Sequence, residues 1–204
     1  MRAAGRGETT LCWRLPLHSS PAAHEMRFSY YDRLSAASKR TYRRSDDIRR
    51  VDLPDAGALM PLARAIEPAL GAQSRAAVEA SCQALVDAIN AQLATPRVQV
   101  RVLERRPANS YGELHGLYDP DEVTGGVARI TLWMRTAQRV QVVKFRTFLR
   151  TLVHEVCHHL DYEHYKLAET FHTEGFYARE SAMMRELLGE AVDSRPRAND
   201  AARE

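Results

Sequence analysis

From Val140 to Thr170 the chain contains neither proline nor glycine, and apolar residues recur there at three- and four-residue steps: Val142, Phe145, Leu149, Leu152, Val156 and Leu160. That period belongs to an amphipathic helix, and nothing in the stretch interrupts one. The same stretch contains His154-Glu155-Val156-Cys157-His158, an HExxH pattern. Residues four apart share one face of a helix, so His154 and His158 can direct both imidazoles at a single ion. Glu155 is turned by about 100° from His154 on the same turn. The offset puts its carboxylate beside an open coordination position, where it can take a proton from water. His172 follows downstream as the third ligand, with Glu174 and Glu180 as competitors, the latter making a His-His-Glu site. Together these residues predict a zinc hydrolase site with Glu155 as general base.

Five further residues lie near the motif. Asp161 shares the ligand face, so it either accepts the second N–H of a ligand imidazole or is solvated. His159 follows a ligand directly and points off the metal face, which predicts a structural role. Cys157 is read as packing, because the fourth position of a catalytic zinc stays open to water. Tyr177 and Arg179 are close enough to His172 in sequence to stabilise a tetrahedral oxyanion.

Of 204 residues, 45% are hydrophobic and 27% charged, which suits one globular domain with tails. The net charge of +3 is unevenly spread: residues 1–50 carry ten Arg and one Lys against Glu8, Glu25, Asp32, Asp46 and Asp47. This predicts a basic, partly disordered arm over 1–50, a domain over 51–190 and a disordered tail over 191–204. Within the arm, Phe28–Arg50 interleaves arginines with Tyr30, Tyr31 and Tyr42. Such a composition serves either a nucleic-acid surface or an amphipathic helix pinned to the domain by its rings. Residues 1–25 are Arg-bearing and acid-poor, open to reading as a transit peptide or as sequence preceding a true start at Met26. Cys12, Cys82 and Cys157 form no CxxC pair and no disulfide framework, which fits a reducing compartment. No run approaches the roughly 18 apolar residues of a membrane helix, and the expectation is a cytoplasmic protein.

The remaining order reads as α+β. Pro54 and Gly57 precede a short helix over Leu59–Leu70. Gln73–Leu93 is an amphipathic helix with Ser74 as N-cap and Ala77, Val78, Cys82, Leu85, Val86, Ile89 and Leu93 as its stripe. Thr95-Pro96 ends it, and Val98, Val100 and Val102 alternate as a strand. Arg105–Gly126 reads as a long loop, in which His115 and Tyr118 face substrate or are merely solvated. Val127–Arg135 is a second strand which, at a sheet edge, could pair with an extended substrate. The motif helix runs from Gln141 to about Tyr165, and a last helix spans Phe176–Leu188.

With His154, Glu155, His158, His172 and Phe176 four residues on, the region Ser74–Leu188 resembles the SprT-like small zincin metallopeptidases. In that family a helix, strands, an HExxH helix, a third histidine and an aromatic residue follow in this order. The resemblance implies a small α+β zincin fold with a short mixed sheet against the active-site helix. It also implies Zn2+ held by three histidines, Glu155 as general base, and a peptide or protein substrate. It covers the catalytic core alone, since no cysteine zinc ribbon follows. The competing expectation is a nucleic-acid-binding protein on the same scaffold, using Phe28–Arg50 around a structural zinc.

Overall fold

The computed structural model describes residues 28, 30–109, 112–120 and 125–190. The expectations for residues 1–25, a start at Met26 and the tail 191–204 lie outside the described residues. Among those described, five α-helices and a three-stranded mixed sheet make an α+β fold. In chain order they are α1 (Ala36–Asp47), α2 (Ala56–Gly71), α3 (Arg75–Leu93), β1 (Gln99–Arg105), β2 (Ala108–Asn109), β3 (Gly112–Glu113), β4 (Gly116–Asp119), β5 (Arg129–Arg135), α4 (Phe145–Glu163) and α5 (Glu174–Leu188). None of these helices is long and apolar enough to cross a membrane.

The sheet order is β1-β5-β4, with β1 parallel and β4 antiparallel to β5. Ile130, Leu132 and Met134 alternate onto the face that meets the helices and are fully buried. Around them close Val78, Cys82, Leu85, Val86 and Ile89 of α3, Leu149, Leu152, Val156 and Leu160 of α4, and Met183 and Leu187 of α5. Ser74 caps α3 as its place in the sequence predicts, its Oγ accepting from the Ala77 N–H. Ala77 itself is exposed and leaves the stripe.

The outer edge of β1 is closed by side chains of α3. Glu79 accepts from the Val102 N–H at 2.8 Å, and Gln83 accepts from the Val100 N–H at 2.7 Å while donating to the Val98 carbonyl at 3.0 Å. These groups replace a neighbouring strand and protect the backbone from further pairing. The opposite outer strand is β4.

Several boundaries depart from the sequence reading. Strand β5, for which the sequence leaves edge and inner positions open, is central, and the edge position belongs to β4 inside the stretch Arg105–Gly126 that reads as loop. The motif helix begins at Phe145 because Val142 bridges to Arg135 and the Val143 N–H bonds the Met134 carbonyl, prolonging the sheet before the helix can start. Helix α2 begins at Ala56, where Asp55 accepts from the Ala58 N–H, and runs on through Pro61 and Pro68. Helix α5 begins at Glu174 because the Thr173 hydroxyl accepts from the Phe176 N–H.

Residue 50 marks no domain edge. Ser35 caps α1 by accepting from the Ser38 N–H, and α1 packs against α5. At their crossing the backbones nearly touch. A Cβ on Gly175 would lie 2.6 Å from the Asp46 carbonyl carbon and nearer still to its oxygen, so only glycine fits there.

Candidate metal centre

Helix α4 carries His154 and His158 one turn apart, and the loop between α4 and α5 brings His172 to them. The three Nε2 atoms form a near-equilateral triangle: 3.2 Å for His154–His158, 3.1 Å for His154–His172 and 3.1 Å for His158–His172. They are a group of His, Cys, Asp or Glu side chains able to hold a metal ion. Glu174, one competitor for third ligand, is exposed and faces Arg49 at 3.7 Å. Glu180, the other, lies behind the triad.

Acceptors on the far side of two rings fix which nitrogen carries hydrogen. Glu180 is 1% exposed, with Oε2 2.8 Å from His154 Nδ1 and Oε1 accepting from Arg150 at 2.7 Å. His158 Nδ1 lies 2.8 Å from the Thr170 hydroxyl, which in turn donates to Asp161 Oδ2 at 2.7 Å. Asp161, expected to meet a ligand imidazole or be solvated, thus reaches His158 through Thr170. With hydrogen on each Nδ1, the Nε2 lone pairs of His154 and His158 face each other and cannot bond to one another.

The chemistry of this donor set fits a cation. Burial opposes charge on His154, but the Glu180 bond and the charges of Glu155 and Glu180 outweigh it and raise its pKa. Burial, with the His154 charge next, lowers His158 well below the usual range and His172 to about 3. The triad therefore favours one centre of positive charge, not three. A tetrahedral zinc bonded to nitrogen at about 2.0–2.1 Å separates its ligands by about 3.3–3.4 Å, close to the triangle observed. His154, His158 and His172 would hold such an ion.

Phe176 forms the floor. It is fully buried, with its ring centroid 4.9, 4.8 and 5.1 Å from those of His154, His158 and His172. Glu155 is 1% exposed beneath β4. A Cβ on Gly116 would lie 2.9 Å from its Cδ and 2.7 Å from Thr151 Cγ2, so the strand crosses the carboxylate in direct contact.

Other expectations are redistributed. Arg179 is no oxyanion group: it is fully buried, donating to the Ser45 and Ile48 carbonyls, the Ser45 hydroxyl and, at 2.6 Å, Asp161 Oδ1. It joins α1, α4 and α5. Tyr177 stays beside the triad through its ring, stacked on His172 at 5.9 Å and 18°. Tyr118 faces inward, its hydroxyl 3.3 Å from His159 Nδ1, while His159 Nε2 donates to the Pro96 carbonyl; His159 is structural and Tyr118 belongs with it. His115 is half-buried between Arg106 and Glu113, and burial lowers its pKa. Cys157 is packed, burial raising its thiol.

The tyrosines of Phe28–Arg50 serve the fold. Tyr31 and Tyr42 are buried, and Tyr30 stacks on Phe171 at 6.4 Å and 21°. They pin α1, leaving Arg33, Arg40, Arg43, Arg44, Arg49 and Arg50 as the exposed arginines of the segment.

Thr170, Gly116 and the role of Glu180 escape a reading of the sequence. Thr170 sits in no motif, Gly116 carries no side chain to read, and Glu180 matters by its position on α5, whose start the sequence misplaces. No protein-family model matches the chain, and no curated protein or solved structure is significantly similar to it.

Proposed function

We propose that the protein is a zinc-dependent metallopeptidase of the zincin type, hydrolysing peptide bonds in a peptide or protein. His154, His158 and His172 are its metal ligands and Glu155 its general base. The observation that carries this reading is the convergence of three imidazole nitrogens within 3.2 Å beside a buried carboxylate on the same helix turn. Zinc held by three histidines supplies Lewis acidity, polarising a carbonyl and bringing the pKa of water towards about 7. Glu155 accepts a proton from the attacking water and delivers it to the leaving amine nitrogen. Burial under Gly116 holds that carboxylate in place.

Structural zinc sites are closed by four protein ligands. The group here offers three, which supports catalysis over a nucleic-acid-binding protein with a structural zinc. Strand β4 supports a peptide substrate. It is the outer strand opposite the edge closed by α3, and a peptide pairing along it would lie beside the strand that covers Glu155.

Two variants test the reading. Wild-type protein should contain about one zinc per chain, and His172→Ala should lose most of it. Glu155→Gln should keep fold and zinc but no longer cleave an unfolded protein such as casein. Wild type that takes up no zinc when supplied with it refutes the site. Glu155→Gln that cleaves at the wild-type rate refutes the assigned base.

A further inference from the structure

The loop that carries His172 is held from two sides. Between the end of α4 and the start of α5 it forms neither helix nor strand. Toward α4 its ties include the Thr170 hydroxyl on Asp161, the Leu167 N–H on the Asp161 carbonyl, the Tyr165 N–H on the Leu160 carbonyl and Lys166 on Glu163. A second set of ties runs to residues 28–50. Arg44 donates to the Tyr165 carbonyl at 2.6 Å, and Ser38 donates to Glu169 at 2.7 Å. Tyr30 and Tyr42 hold the Phe171 ring at 6.4 and 5.7 Å. The Gly175 N–H donates to Asp46 Oδ1 at 2.8 Å, and the Tyr165 hydroxyl to the Arg50 carbonyl at 3.2 Å. Phe28 lies 6.4 Å from Tyr177, whose ring stacks on His172 itself.

We propose that α1 is the outer wall of the metal centre: it sets where His172 stands, and metal affinity depends on it. This rests on the metal site put forward above and assigns Asp46 and Gly175 as positioning residues for the third ligand. An imidazole delivered by a loop binds well only if the loop already stands in place, because ordering it on binding subtracts from affinity. The two α4 histidines are rigid. The third is as rigid as the clasp between α1 and its loop. The small residue at 175 is what permits the clasp, since any side chain there meets Asp46 backbone, which cannot rotate aside.

The full chain serves for the test. Gly175→Ala wedges α1 from the start of α5, and Asp46→Ala removes the acceptor of the Gly175 N–H. Asp46→Asn retains an acceptor oxygen and acts as the conservative rescue. Ile89→Ala, a fully buried position on α3, controls for loss of stability alone. Zinc affinity by chelator competition should fall at least about 10-fold in Gly175→Ala, the scale seen when groups supporting a ligand are removed. Asp46→Ala should fall in the same direction, with Asp46→Asn near wild type and Ile89→Ala unchanged per folded molecule. In metal-free protein, amide hydrogen exchange over residues 164–175 should speed up in Gly175→Ala while α3 stays as in wild type. Unchanged loop exchange and unchanged affinity in Gly175→Ala overturn the proposal. Wild type without zinc affinity refutes the metal site instead, and the exchange result still decides whether α1 holds the loop.

Discussion

Asp161→Asn perturbs one oxygen pair and touches two systems at once. Asp161 and Arg179 are both 0% exposed and 2.6 Å apart. Burial lifts the Asp161 carboxyl to about 6 against the pull of Arg179 and Thr170, so at pH 7.5 it is ionised. Asparagine keeps the shape and leaves a buried guanidinium charge without its counter-charge. Breaking such a pair from one side costs about 3–5 kcal/mol. Arg179 keeps three neutral acceptors, the Ser45 and Ile48 carbonyls and the Ser45 hydroxyl, which places the loss near the lower bound, about 3 kcal/mol. For a domain of this size that is a drop in Tm of roughly 6–12 °C. The second system is the relay to the triad. If the asparagine oxygen keeps Arg179, its NH2 faces Thr170, and the Thr170 hydroxyl must turn its own hydrogen toward His158 Nδ1. His158 then carries hydrogen on Nε2, inside the triangle of ligand nitrogens, and zinc affinity should fall about 10–100-fold. Thermal denaturation of metal-free protein reads the first effect, and chelator competition reads the second. A Tm within 2 °C of wild type (about 1 kcal/mol or less) would refute the ion-pair argument, and unchanged zinc affinity would refute the relay through Thr170.

Gly116→Ala should cost about 1–3 kcal/mol by overpacking against Thr151 and Glu155. It should also slow hydrolysis about 100-fold through a displaced carboxylate, with zinc content retained; full activity in the variant contradicts the contact. Metal-free protein should lose stability in acid. His158 and His172 have folded-state pKa values below the unfolded 6.5, so the unfolded chain binds protons that the folded chain refuses. The contribution of His172 is present above pH 6.5 and is lost as pH falls toward 3, and that of His158 is lost in the same direction. Asp161, raised to about 6, works the other way between about pH 4 and 6. The net expectation there is a loss of about 1.4 kcal/mol per pH unit on acidification, read by urea denaturation at stepped pH; stability that rises toward pH 4 contradicts it.

The chemistry-bearing helix was legible because its signal is local. Three- and four-residue steps without a breaker define α4, and the HExxH spacing places two imidazoles on one face of it. Ser74 and the α3 stripe are local in the same sense. What the sequence hid is made by long-range packing. Strand β4 is four residues long and starts with glycine, too short for alternation to register, and its identity comes from pairing with β5. Glu180 and Arg179 both looked like groups for the metal site or its substrate. Which way each points depends on how α5 lies against α1 and α4, and no periodicity encodes that. Over Phe28–Arg50 composition left two readings open, and the buried tyrosines favour the helix pinned by its rings over a solvated basic surface.

The Arg179 bonds to Ser45 join positions 134 residues apart, and this sets an order of assembly. Helix α1 precedes every other described α-helix in the chain and α5 follows them all. A helix of 12 residues is marginal alone in water, so during synthesis α1 waits for the partners it meets here, the loop after α4 and then α5. The buried guanidinium likewise lacks its acceptors until both helices meet across the finished sheet and α4. The closure that joins α1 to α5 is thus also one that seats His172, and a nascent chain exposes the two imidazoles of α4 before the third.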